Sequence, residues 1–335
     1  MKSLRFAEFG PSSVLRIEEV TIPEPAEREA LIQVKAAAIN RSDIGKVAGH
    51  LKKTTLPRTP GRDFAGIAVK GIHNEGVEVW GSSGKLGIVQ DGSPAEYVVV
   101  AVETLSLKPK SLSMAQAAAI GVPAWPSVVN AAQIQPGETI LIVGTAGAVG
   151  QAAIQIANWK QARVIGADMR PDPIPGAEAV INTKTEDLEK SVLELTAGKG
   201  VDVVFDTVGS PMFELGLRSL RLGGRQVAIA SPGHPRVSFN LIHFYHNFSR
   251  LLGLDSFGLT SRQIAEIEDK VRLGFETQAL IPAPVEVVPF ERAVDTYGRV
   301  AVRRANAKQV LTFHWHDREE RNSEDGRSEL KEVWK

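Results

Sequence analysis

The stretch "TILIVGTAGAVGQAAIQIANW", residues 139–159, constrains the fold more than any other part of the chain. "TILIV" is short and apolar almost throughout, as expected of a parallel strand buried on both faces. Glycines follow at 144, 147 and 150, and a helix is predicted from near Ala148. A chain passing from a buried strand straight into a helix must turn sharply. Gly144 permits that turn without a Cβ clash, and Gly150 lets the helix lie close against the sheet.

The same strand-then-helix unit recurs downstream. "RVIGA" (163–167), "AVI" (179–181), "VDVVFD" (201–206), "RQVAIA" (225–230) and "LLGLD" (251–255) bring the predicted strands to six. Helical patterns near 186–197, 211–221 and 261–275 accompany them. This alternation implies an α/β domain with a doubly wound parallel sheet, and six strands fit the two-halved dinucleotide-binding arrangement. One crossover breaks the rhythm. "DMRPDPIPGAE" carries prolines at 171, 173 and 175, which no regular helix tolerates, so an extended connection or a single turn is expected.

The first 110 residues have a different grammar. β-branched runs such as "ALIQVKAAAI" (30–39) and "AEYVVVAVETLSL" (95–107) sit between Gly and Pro punctuation. A helix is expected at "SMAQAAAIGV", with Ser113 as its N-cap. β character returns at "APVEVVPF" (283–290) and "AKQVLTFHW" (307–315), with a helix at "ERAVDTYGRV" between them. The expected organisation is a β-rich domain from residues 1–113 and 262–316, a parallel-sheet domain from 114–261, and a charged tail at 317–335.

Lys+Arg and Asp+Glu number 39 each in the 335 residues. That balance argues against a nucleic-acid partner, which calls for a basic excess, and against a membrane surface. No apolar run reaches the roughly 18–20 residues that span a bilayer, and "MKSLRFAEFG" has no signal-like apolar segment. The chain has no cysteine, which removes disulfides, thiolate catalysis and every Cys-based zinc site. A reducing cytoplasm is the simplest setting.

"GTAGAVG" is a phosphate-binding turn in its required context, after a buried strand and at the start of a helix. Gly147 lets backbone approach a pyrophosphate, and the helix N-terminus offers free N–H groups and a positive dipole end. Gly144, Thr145, Ala146, Gly147, Ala148, Val149 and Gly150 are the expected contacts. Asp168 ends the second strand, 18 residues after Gly150, where an acid accepts from ribose hydroxyls; Arg170 would instead meet a 2′-phosphate. A solvated strand end is the alternative for both.

"INRSD", "PGRDFAG", "SPAEYVVV", "GVDVVFDTVGS" and "LRLGGRQV", with the strand–turn–helix stretch, resemble in order the medium-chain dehydrogenase/reductase superfamily over about residues 1–313. The likeness is to its zinc-independent quinone oxidoreductase and enone reductase branch. The resemblance implies a GroES-like N-terminal domain, an inserted Rossmann domain, NADPH or NADH in the cleft between them, and a homodimer formed through the Rossmann domain. Arg41, Val208 and Ala230 join the expected cofactor contacts. Asn40 falls where alcohol-dehydrogenase members place a zinc thiolate, Arg62 on their imidazole ligand, and Asp63 on the neighbouring carboxylate. The segment "SSGKLGIVQDG" is too short to hold their four-cysteine lobe. Two departures stand out. "IGVPAWPSVV" lacks the usual threonine near the nicotinamide, and the proline-rich crossover unsettles the branch's NADPH preference.

Hydride transfer to a conjugated carbonyl builds negative charge on its oxygen. Without a metal, hydrogen-bond donors in a dry site must absorb it. The expected catalytic groups are the Asn40 amide, the Ser42 hydroxyl and the Arg62 guanidinium. Loop-bracing bonds are the alternative for Asn40, and an ion pair with Asp63 or Asp43 for Arg62. The expected activity is NAD(P)H-dependent reduction of a quinone, enone or other activated carbonyl. A non-catalytic nucleotide sensor and a metal-free alcohol dehydrogenase are the alternatives. "HFYH" (243–246) spaces two histidines one helical turn apart, with no third ligand nearby in sequence.

Overall fold

The computed structural model describes residues 1–315, apart from 74, 83–84, 121–130, 171, 231–234, 256–257, 303 and 306. The tail at 317–335 and most of "IGVPAWPSVV" lie outside the described residues.

The parallel sheet has six strands in the spatial order Ala179–Asn182, Arg163–Asp168, Thr139–Val143, Val201–Asp206, Leu220–Ala228 and Arg250–Gly253. Order therefore reverses between Thr139–Val143 and Val201–Asp206, the place where doubly wound sheets open a crevice for a ligand. Alternate residues of the first strand feed opposite cores. Ile140 and Ile142 pack with Ile154 and Ala157, and Leu141 and Val143 with Leu188 and Leu217. Burial on both faces is why this strand reads as an unbroken apolar run.

The fifth strand starts at Leu220, five residues before the expected "RQVAIA". Its pairing with Val201–Asp206 shifts register between Val201 and Val203, opposite Gly223 and its positive φ of 74°. "LRLGG" has loop composition, yet the glycine pair is the irregularity inside a strand. No described residue from 169 to 178 is helical, in keeping with the prolines.

The second sheet runs Val285–Pro289, Lys308–Thr312, Glu29–Ala38, Asp63–Lys70, Glu78–Ser82 and Ser106–Leu107, with Tyr97–Ala101 also paired to Glu29–Ala38. Residues 272 apart thus meet at one strand pair, Val310 opposite Ala38. Ser113 caps the helix Met114–Ala119 by accepting from the Gln116 amide. The helix Ser261–Glu276 lies against Glu78–Ser82, where the Phe275 and Trp80 rings meet edge-on at 6.3 Å. Among the described residues, no helix is long and apolar enough to cross a membrane.

Candidate active site

At the crevice, Gly144 holds φ at +88°, and a Cβ on it would stand 2.3 Å from Thr207 Oγ1. The Thr207 hydroxyl donates to the Val143 carbonyl, so the two strand ends are stitched together at this point. Helix Ala148–Trp159 begins four residues later, with Gly147 as its N-cap. No described residue accepts from the amides of Ala148, Val149 or Gly150. Three adjacent N–H groups at a helix N-terminus fit an anion. Thr145 contributes differently: its side chain is fully buried under the turn, which leaves its backbone as the part near a ligand.

Asp168 is mostly buried, and its Oδ2 accepts the Ala146 amide at 2.8 Å while Oδ1 accepts the Arg170 amide at 3.0 Å. It therefore braces the turn. Each carboxylate oxygen keeps a further lone pair for a ribose hydroxyl. The exposed Arg170 guanidinium lies 3.9 Å away, so both candidate ribose contacts share one corner. Asp206, which sequence reasoning left without a role, accepts the Val208 and Gly209 amides at 2.9 and 2.8 Å and fixes the turn beside Gly144. Burial raises its pKa. Ala230 lines an adjacent cleft of about 380 Å³ with Gly209, Phe213 and Pro235.

The second half of the site is a buried polar cluster around Asp63. Its carboxylate accepts the Asn40 side-chain amide at 2.7 Å and the Ser82 hydroxyl at 2.6 Å. Arg62 donates Nε–H to Ser82 Oγ at 3.1 Å, with Nε 3.9 Å from Asp63. Lys308, from the C-terminal strand, donates to Asn40 Oδ1. Asp43 accepts the Asn40 backbone amide at 2.8 Å and pairs with Lys46 at 2.9 Å. Asn40 therefore braces the start of helix Arg41–Val47, with one amide hydrogen still to offer. Ser42 is half-buried on that helix and Arg41 is exposed. Arg62 has no exposed surface. This corrects its expected contact with substrate: a guanidinium closed off from solvent can act only through the cluster around it.

These groups do not fit a zinc ion. A guanidinium has no lone pair to give, an amide oxygen bonded to Lys308 is a poor ligand, and no metal-binding group of three His, Cys, Asp or Glu exists among the described residues. His243 and His246 sit together on the short helix Leu241–His246, far along the chain from this cluster.

Glu268 closes the cluster from helix Ser261–Glu276. It is buried, its Oε2 has no hydrogen-bond partner among the described residues, and it shares a void of about 10 Å³ with Asp63 and Ser82. Burial raises its pKa well above the ordinary glutamate value, Asp63 and Asp269 raise it further, and Arg62 opposes them. A raised carboxyl pKa favours the folded state while the group is protonated, and that contribution is lost as pH rises through the folded value. Glu268→Gln keeps a neutral side chain at every pH. The variant is expected to match the parent at pH 5 and to exceed it by about 1–3 kcal/mol at pH 9. Urea unfolding across that range checks this; a difference independent of pH would remove the assignment.

Lys308 and Glu268 escaped sequence reasoning for different reasons. Glu268 stands in the apolar stripe of Ile264, Ile267 and Val271, so an acid on a buried helix face was a readable signal. Lys308 opens an apolar strand far from every motif, and only the sheet pairing brings it to Asn40.

Known proteins match both halves of this architecture. Residues 26–110 match the alcohol dehydrogenase GroES-like domain, and residues 148–270 the zinc-binding dehydrogenase domain. A zinc-type alcohol dehydrogenase-like protein of Schizosaccharomyces pombe is 34% identical over 78% of this chain and 80% of its own. Quinone oxidoreductase of Sus scrofa is 29% identical over 93% and 97%. The structure of Escherichia coli quinone oxidoreductase complexed with NADPH superposes with a TM-score of 0.79 at 25% identity, covering 93% and 100% of the two chains. With the reversed-order parallel sheet, the glycine turn and the buried polar cluster in place, the chain belongs to the medium-chain dehydrogenase/reductase superfamily of oxidoreductases, in its quinone oxidoreductase-like branch.

Proposed function

We propose that this protein is a zinc-independent reductase of quinones, enones or related activated carbonyls, using NADPH or NADH. The observation that carries this reading is the cluster of Asn40, Asp63, Arg62 and Lys308, a set of hydrogen-bond donors and charges where a zinc enzyme needs ligands. A reduced nicotinamide supplies the hydride when bound. The amides of Ala148, Val149 and Gly150 take the pyrophosphate, Asp168 or Arg170 the adenosine ribose, and Val208 and Ala230 line the pocket wall. Asn40 and the Ser42 hydroxyl offer donors to the acceptor oxygen. Each such donor is worth about 10²–10³ in rate, which suffices for acceptors whose charge is already delocalised.

A chelator-treated preparation is expected to oxidise NADPH or NADH with a panel of quinones and enones, at a rate that added zinc does not raise. Nucleotide binding without turnover across the panel would instead favour a sensor, and rescue by zinc would refute the metal-free reading.

The protein is further proposed to be a homodimer. Arg250–Gly253 is an edge strand, and around it Leu222, Leu241, Ile242, Tyr245, Phe248 and Leu251 are all exposed. An apolar, unpaired sheet edge invites a second copy. The double variant Tyr245→Glu, Leu251→Glu is expected to sediment as a monomer; an unchanged sedimentation coefficient would place any interface elsewhere.

A further inference from the structure

We propose that the Lys308 ammonium supplies the positive charge of the absent metal, facing the acceptor oxygen beside Asn40 and Ser42. This rests on the reading that an acceptor is reduced at this site. Lys308 is half-buried, and its only hydrogen-bond partner among the described residues is Asn40 Oδ1. An ammonium has three N–H groups, so two remain to be used. Its neighbouring carboxylates are committed elsewhere. Asp43 is held by Lys46 and the Asn40 amide, and Asp63 by the Asn40 side chain and Ser82. Lys308 makes no ion pair within 4 Å among the described residues.

The charges around it point the same way. Lys46 pairs with Asp43 and Arg62 stands beside Asp63, while Lys308 is held by a neutral amide. An ion-paired lysine would have its field cancelled. One held by a neutral amide in a desolvated corner keeps that field for whatever anion develops nearby. Burial pulls its pKa below the ordinary lysine value, Asp63 and Asp43 pull it up, and Arg62 lowers it. The strand geometry fixes its place: Ile39 donates its amide to the Gln309 carbonyl at 3.0 Å, which sets Lys308 alongside Asn40.

The probe is 4-nitrophenolate, a stable aromatic oxyanion, titrated by its visible absorbance into the full chain saturated with NADP⁺ or NAD⁺. Lys308→Met is expected to weaken its binding at least about tenfold, with nucleotide affinity unchanged. Lys308→Arg should retain most of the binding. Lys308→Gln keeps a donor to Asn40 without the charge, and it should bind as weakly as Lys308→Met. Parent-like phenolate affinity in Lys308→Gln, or no phenolate binding by the parent, overturns the proposal. Turnover is scored separately. A parent that binds phenolate through Lys308 yet reduces none of the quinones and enones would refute the proposed function and leave the anion site standing.

Discussion

Replacing Asp63 with alanine is expected to destabilise the protein by about 3–5 kcal/mol, the usual cost of breaking a buried charge cluster by removing one partner. Asp63 is 2% exposed and is the only group that touches Asn40, Ser82 and Arg62 together among the described residues. Without it, Arg62 loses the carboxylate beside it, and the Asn40 amide and Ser82 hydroxyl lose their acceptor. A second readout ties the loss to electrostatics. Asp63 raises the pKa of Glu268 and also that of Lys308. In Asp63→Ala the glutamate should ionise more readily and take over part of the charge balance, so the penalty should shrink as pH rises. Urea midpoints at pH 5 and pH 9 measure both effects. A loss below about 1 kcal/mol would mean that Asp63 is not the hub described.

The sequence was most legible where one backbone problem dictates residue type. The crevice demands a buried strand, a tight turn and a close helix, and each demand leaves its mark in "TILIVGTAGAVG". The parallel sheet was readable for the same reason, since burial on both faces writes an apolar run. Strand boundaries were less so, because Gly223 and Gly224 look like loop while acting as a bulge within Leu220–Ala228. At the polar cluster, residue identity was readable and residue role was not. Asn40 and Arg62 mark a departure from a thiolate and an imidazole, but their partners come from the distant elements Glu78–Ser82, Ser261–Glu276 and Lys308–Thr312. For Arg62 in particular, contact with the acceptor and an ion pair with Asp63 or Asp43 were both open in sequence. In the fold it is fully buried, beside Asp63 and Ser82.

The glycine turn allows a test that separates folding from ligand binding within one loop. A Cβ on Gly150 would lie 2.3 Å from the Gly144 carbonyl oxygen and 2.7 Å from Thr145 Cα, both backbone atoms that cannot swing aside. Gly150→Ala must therefore pry the helix from the strand end, at a cost of about 1–3 kcal/mol. A Cβ on Gly147 meets only the Gly144 oxygen, at 3.4 Å, and the residue already has an ordinary φ of −79°. Gly147→Ala replaces a favoured N-cap residue and should lower stability by no more than about 1 kcal/mol. Gly147 immediately precedes the Ala148, Val149 and Gly150 amides, the proposed place of the pyrophosphate. The expected loss of NADPH or NADH affinity is at least about tenfold, or about 1.4 kcal/mol. Calorimetric titration of both variants, beside their melting curves, decides the matter. If Gly147→Ala binds nucleotide like the parent, the phosphates lie elsewhere, and the three free amides at this helix start serve only as its frayed end.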